Sequence, residues 1–161
     1  MLFRSVFTNN DSAYAAALDL AAAGVGVEAV VDLRNRVEGE WPRLAREAGI
    51  PVMQGHTIVG TKGRHRVSAV TVMRLNDAGD GVAGEARQLK CDSVAMSGGW
   101  SPAVHLFSQS RGALTFDEQD GTFRPGEAMQ AVRNVGACDG AAGLADCLRA
   151  GTEAGRAAAL D

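Results

Sequence analysis

The residues best able to do chemistry in this sequence are backbone groups at glycine turns. Gly136-Ala137-Cys138-Asp139-Gly140 follows the short apolar run Val132 to Val135 and precedes an alanine-rich stretch from Ala142 to Leu160. A strand, a glycine turn and a helix N-terminus in that order suit a diphosphate. The free N–H groups of the first helical turn point at the anion and the helix dipole favours its charge. Ala142, Gly143 and Leu144 would supply those N–H groups, and Gly136, Ala137, Ala142 and Leu144 are the expected contacts. Ala137 has no acceptor for a flavin ribityl hydroxyl. A flavin is therefore disfavoured at this turn, whereas a backbone-held dinucleotide is not; the plain alternative is an ordinary strand–helix turn.

A second turn lies in Cys91-Asp-Ser-Val-Ala-Met-Ser-Gly-Gly-Trp-Ser-Pro102. The apolar run Val94 to Met96 reads as a buried strand, stopped by Gly98 and Gly99 where backbone must face something. Strands that end this way lie beside the cofactor in many dinucleotide-binding oxidoreductases, so Gly98 and Gly99 are expected to shape the floor of a cleft. A third turn, Thr8-Asn9-Asn10-Asp11-Ser12-Ala13, joins a strand to a helix. A dinucleotide fingerprint would place glycine where Thr8 and Asn10 stand, and only Ala13 fits it. Asp32 lies about 20 residues further on, where a ribose-binding acid would be. It is a weaker candidate contact, because the strand–helix–strand spacing is kept while the phosphate cradle is not.

Other chemistries are excluded on physical grounds. Gly99-Trp100-Ser101-Pro102-Ala103 resembles a nucleophile elbow, but the residue after the nucleophile must donate its N–H to the oxyanion and Pro102 has none. His56, His65 and His105 lack helical partners at ligand spacing, and no metal site is expected. Cys91, Cys138 and Cys147 form no C-x-x-C pair and read as buried or half-buried thiols in a reducing cytoplasm. Trp41 and Trp100 are expected to pack, Trp100 with the better chance of lining a pocket. No residue reads as a general base, a nucleophile or a metal ligand.

Alternating elements must position these turns. Leu2 to Phe7 reads as a strand. A helix capped by Asp11 or Ser12 follows, with Tyr14, Ala17, Leu18 and Ala21 as its buried stripe. Val27 to Val31 is a second strand closed by Asp32, so a βαβ unit with parallel strands is expected. Trp41 to Ala48 is a short helix and Pro51 to Gln54 a third strand. Thr57 to Gly60, Val67 to Leu75 and Glu85 to Cys91 then predict a three-stranded antiparallel layer. Beyond it, Pro102 to Ser110 reads as a short helix, Thr115 to Gly126 as a loop, Val132 to Val135 as a last strand and Ala142 to Leu160 as a terminal helix.

Composition bounds the partners. With 161 residues, 46% hydrophobic and 22% charged, the chain can bury a core. Its net charge of -3 and the lack of a basic patch argue against nucleic acid. No apolar run reaches membrane-spanning length, and no signal peptide opens the chain.

Val6-Phe-Thr-Asn-Asn-Asp-Ser-Ala-Tyr14, Ala29-Val-Val-Asp32, Met96-Ser-Gly-Gly-Trp-Ser-Pro-Ala-Val-His-Leu-Phe-Ser-Gln-Ser-Arg-Gly112 and Gly136-Ala-Cys-Asp-Gly140 together resemble the α subunit of heterotetrameric sarcosine oxidase. The resemblance spans essentially the whole chain and implies an α/β fold. It implies a Rossmann-like FAD/NAD(P)-binding lobe with an antiparallel β-meander (residues 1–97) and the closing part of an incomplete outer dinucleotide-binding lobe (98–161). It further implies NAD in this subunit without an assigned hydride-transfer role, FAD and FMN associated with a partner subunit, and tetrahydrofolate in a domain beyond this chain. The partners implied are the β, γ and δ subunits. The reaction implied is oxidation of sarcosine to glycine, with the methyl carbon passed to tetrahydrofolate and hydrogen peroxide produced.

On this resemblance the opening βαβ of the outer lobe is missing. Met1 is expected to mark a truncation, and NAD is expected to bind weakly or not at all. The alternatives are a segment of another amine or opine oxidase α subunit, or a vestigial Rossmann-like scaffold for subunit assembly.

Overall fold

In a computed structural model of the chain, residues 3–118 and 121–160 are described. The opening strand β1 (Phe3–Thr8) leads into helix α1 (Ser12–Ala22) and strand β2 (Gly26–Asp32), as the 3.6-residue spacing of Tyr14, Ala17, Leu18 and Ala21 requires. Helix α2 (Glu40–Glu47) and strand β3 (Val52–Gln54) follow. The meander β4 (His56–Lys62), β5 (Ala69–Leu75) and β6 (Val82–Lys90) precedes β7 (Ser93–Ser97).

Strands β3, β2, β1 and β7 form one parallel sheet in that order. The meander forms a separate antiparallel sheet, β4-β5-β6. Strand β2 shows why the sheet is covered twice. Val30 joins Val6, Tyr14, Ala17, Ala45 and Ile50 beneath the helices, while Ala29 and Val31 turn the other way onto Val70, Val72 and Leu89 of the meander. A strand buried on both faces reads as a continuous apolar run, as Val27 to Val31 does. Each fully buried valine contributes about 1.5–3 kcal/mol of transfer free energy.

The chain divides into two compact units, one up to Gly99 and a second from Trp100. The second unit holds helix α3 (His105–Gln109), strands β8 (Leu114–Asp117) and β9 (Thr122–Pro125), a 3-10 turn at Gly136–Asp139, and helix α4 (Leu144–Ala158).

Several expectations need correction. Residues 115–126 are not a loop: β8 and β9 pair antiparallel, and Phe116 meets Phe123 edge to face at 5.2 Å. The Asp120-Gly121 turn expected there lies partly outside the described residues, as do Met1 and Leu2. Val132 to Val135 forms no strand. Its residues find no pairing partner among the described residues, and Val132 is exposed. Strand β7 exists but is not buried: it is an edge strand with Met96 75% exposed. Neither tryptophan is buried, because α2 turns Pro42 and Ala45 inward and leaves Trp41 outside, while Trp100 is 84% exposed. All three cysteines are free thiols, Cys91 buried and the others half-buried.

Candidate functional site

The C-terminal ends of parallel strands are where open α/β sheets bind ligands, at the point where strand order reverses. In this sheet that point lies between β1 and β7. Thr8 ends β1, in register with Asp32 on one side and Ser97 on the other. The candidate residues Asp32, Gly98 and Gly99 therefore gather at one end of one sheet.

Asp32 has no solvent exposure. Its Oδ2 accepts from the Tyr14 hydroxyl at 2.8 Å and from Arg34 Nη2 at 2.8 Å. Its Oδ1 accepts from the Arg34 backbone N–H at 2.9 Å and Arg34 Nε at 3.1 Å. A buried carboxylate needs such pairing, since an isolated one would be driven neutral. Arg34 Nη2 also reaches Asp11 Oδ1 at 2.8 Å, so one guanidinium bridges two carboxylates. Burial first, and then the bond to Asp32, pushes the Tyr14 phenol well above its ordinary pKa. The bond to Asp32 raises the Arg34 pKa further still, so the guanidinium stays charged.

Asp11 stands at the N-cap of α1 as expected, but it makes no side-chain cap bond, and the Ser12 N–H is taken by the preceding Asn10. Its Oδ1 accepts from the Ser12 N–H at 3.1 Å and from Ser12 Oγ at 2.5 Å. Asn10 Nδ2 donates to Ser97 O at 3.2 Å and Ser97 Oγ at 3.0 Å, while Asn9 Nδ2 donates to Gly98 O at 3.3 Å. Gly99 takes φ +93°, a conformation that suits glycine. Tyr14, Arg34, Asn9 and Asn10 were not singled out as site residues. The signals available were an opposite charge two residues after Asp32 and an Asn-Asn pair at a strand–helix turn.

The second group of candidates lies in the second unit. Gly136 (φ +75°) and Gly140 (φ +87°) bracket the 3-10 turn with left-handed backbone. The N–H groups of Gly140 and Ala141 bond back to Ala137 O at 3.2 Å and Gly136 O at 3.1 Å. Helix α4 starts at Leu144, with Gly143 at the N-cap and no side-chain cap. The donors at its head are therefore the N–H groups of Leu144, Ala145 and Asp146, later than the expected set, and Ala142 and Gly143 precede the helix. Bulky side chains do not seal this end: Leu144 is 76% exposed. An anion here would meet uncapped amides, but also the Asp146 carboxylate in the same first turn. The helix head thus offers uncapped amides beside a carboxylate, Asp146, that is itself paired with Arg149 at 2.7 Å.

Among the described residues, no group of His, Cys, Asp and Glu could hold a metal ion, and no helix is long and apolar enough to cross a membrane. His56 lends its Nδ1 to Gln54 O at 2.6 Å, while His65 and His105 are exposed.

No family model matches the sequence. It is 38% identical over 156 residues to the sarcosine oxidase subunit alpha of Corynebacterium sp. (strain P-1), covering 96% of this chain and 16% of that protein. The chain is similar to a segment of sarcosine oxidase α subunits. The sarcosine oxidase subunit alpha of Rhizobium meliloti (strain 1021) is 31% identical over 159 residues, covering 97% of this chain and 14% of the relative. The chain thus spans only about one-sixth of the length of these sarcosine oxidase subunits.

Solved structures share the fold. Histamine dehydrogenase from Rhizobium sp. 4-9 superposes with a TM-score of 0.61 at 17% identity, covering 96% of this chain and 22% of that one. Thioredoxin reductase of Lactococcus lactis superposes with a TM-score of 0.57 at 16% identity, covering 96% of this chain and 52% of that one. The expected α/β fold class, a Rossmann-like lobe with an antiparallel meander, is the one found.

Proposed function

We propose that this chain is a cofactor-binding and structural part of the α subunit of a sarcosine oxidase, an oxidoreductase acting on CH–NH donors. The observation that carries this reading is sequence similarity to sarcosine oxidase α subunits over nearly the whole chain. On this reading the assembled enzyme converts sarcosine to glycine, tetrahydrofolate accepts the methyl carbon and hydrogen peroxide is released. The flavins FAD and FMN sit with a partner subunit, and the β, γ and δ subunits complete a cytoplasmic heterotetramer. On this reading the chain has a cofactor-binding and structural part, and bond breaking belongs to other parts of the enzyme.

NAD is the proposed cofactor, and its diphosphate carries the charge that the protein must hold. The contacts are the backbone of Gly136 and Ala137, with Ala142 beside them and the N–H of Leu144 at the head of α4. The uncapped helix N-terminus supports this reading. Gly98, Gly99 and Asp32, at the strand ends of the first unit, are assigned a structural part there, the glycines through their backbone and Asp32 through the Tyr14–Arg34 network that it organises.

Exchanging the matching segment of a sarcosine oxidase α subunit for this chain, and co-expressing the tagged product with β, γ and δ subunits, tests this function. The expected result is co-purification of a flavin-containing complex in which sarcosine drives peroxide formation. A chain that purifies alone beside a complete set of partners would overturn it.

A second reading, a scaffold segment with a vestigial pocket, is favoured by one feature: the Asp146 carboxylate in the first turn of α4 repels an anion. It predicts no heat on mixing NAD with the assembled complex.

A further inference from the structure

The parallel sheet of the first unit has the crevice in which folds of this class hold a dinucleotide, at the C-terminal ends of β1 and β7. A dinucleotide needs three things there. Its diphosphate must reach the first amides of the helix, its backbone approach must be clear, and an acid at the end of the second strand must have a lone pair for a ribose hydroxyl. Each of these is filled by the chain itself.

At the helix, Asn10 Oδ1 accepts the Ser12 N–H at 3.1 Å, and the Tyr14 N–H is bonded to Asp11 O at 3.1 Å. A carboxamide oxygen thus stands where a phosphate oxygen would accept. Across the approach, Asn9 and Asn10 donate to Gly98 O, Ser97 O and Ser97 Oγ. The Asn9 side chain lies 3.5 Å from where a Gly99 Cβ would be, so the open face of that glycine is covered. At the second strand, both oxygens of Asp32 are engaged by Tyr14 and Arg34.

Charge acts in the same sense. The Arg34 cation is shared by Asp11 and Asp32, so its charge is already engaged by two carboxylates rather than offered to a diphosphate.

We propose that this crevice is closed by its own side chains and takes no dinucleotide. Asn9, Asn10 and Arg34 have turned a phosphate turn into a fastener that ties β1 to β7 and α1 to β2. A segment of this kind carries its nucleotide, if any, outside the parallel sheet of its first unit. This goes beyond the proposed function, which assigns contact to the turn before α4.

Amide spectra of the isotope-labelled chain, titrated with NAD and then NADP to millimolar concentration, decide the matter. The expected result is no saturable shift at Ser12, Ala13, Arg34 or Gly98, whatever happens at Gly136 to Asp146. Saturable shifts at those four amides would overturn the inference, while shifts confined to Gly136–Asp146 would support it. A variant carrying Asn9→Gly and Asn10→Gly provides the converse. With its spectral dispersion retained, it is expected to bind inorganic pyrophosphate at Ser12 and Ala13 about tenfold more tightly than the parent. A folded variant that binds no better than the parent would show that these side chains are not what closes the crevice.

Discussion

The Tyr14 hydroxyl donates to Asp32 Oδ2 across 2.8 Å, and neither side chain has any solvent exposure. This bond ties the first turns of α1 to the end of β2, so the helix and strand are joined by a charge-assisted contact as well as by apolar packing. A hydrogen bond to a charged group contributes about 1.5–3 kcal/mol. Tyr14→Phe is expected to lower unfolding free energy by about that amount, read from urea titrations of the variant and the parent.

Tyr14 is the sole tyrosine in the sequence, so phenolate absorbance reports on it alone. Its pKa is raised in the folded state, chiefly by burial. The folded chain therefore keeps a proton that the unfolded chain releases above its ordinary pKa of about 10. The stabilisation is fully present below about pH 10 and is lost as pH rises from there towards the folded value, by up to about 1.4 kcal/mol per pH unit. Phenolate absorbance is expected to appear only with unfolding, and Tyr14→Phe should flatten the alkaline decline in stability. A phenolate signal near pH 10 in the folded chain would contradict the burial.

Arg34→Ala leaves the buried Asp32 carboxylate without its cation. Removing one partner of a buried pair costs about 3–5 kcal/mol; the side chain of Arg34 is 34% exposed, so about 3 is the expected value. Arg34→Lys should recover only part of this. An ammonium is a point charge and cannot reproduce the fork in which Nε and Nη2 reach separate oxygens of Asp32. Thermal denaturation of the three proteins orders them.

Asp146→Asn removes the carboxylate from the first turn of α4. If NAD binds at that helix head, its affinity is expected to rise about two- to fivefold, the helix-terminus electrostatic effect of about 0.3–1 kcal/mol. Calorimetric titration of the assembled complex measures it, and unchanged affinity would count against the site.

Gly63 and Gly60 offer a matched pair beside one hairpin. At Gly63 (φ +135°) an added Cβ would lie 1.8 Å from Arg66 O, a backbone atom that cannot swing away. At Gly60 nothing lies within 4 Å. Gly63→Ala is expected to destabilise the meander by at least about 2 kcal/mol, and Gly60→Ala to change stability by less than about 0.5. Chemical denaturation of the two variants tests the contrast.

The first unit was legible because its elements carry strong local signals. The doubly buried run of β2, the helical spacing of Tyr14, Ala17 and Leu18, and the alternation around Val70 and Val72 each point to one structure. The second unit was less legible. The β8–β9 hairpin depends on Phe116 meeting Phe123 across a turn, a pairing that neither strand announces alone. Val132 to Val135 has strand-like composition, but composition cannot reveal that no neighbour stands ready to pair. At the candidate site, the position of Asp32 was readable from spacing; its occupation by Tyr14 and Arg34 was not, because both bonds are tertiary. The Ser12 N–H goes to Asn10 rather than to the N-cap Asp11 because the Asn10 carboxamide reaches Ser12 and Ser97 together, which requires β7 to be in place.

Strand β6 pairs with β5 on one side only, and its residues are exposed along nearly all of its length. Its far rim offers a ladder of open amides and carbonyls on which a foreign strand could template. Glu85, Arg87 and Lys90 punctuate that rim with charge, and the register shift opposite Val72 and Arg74 breaks its straightness. Charges and irregularities of this kind deter fibril growth. The meander can thus stay wet on its outer border while remaining a poor seed for aggregation.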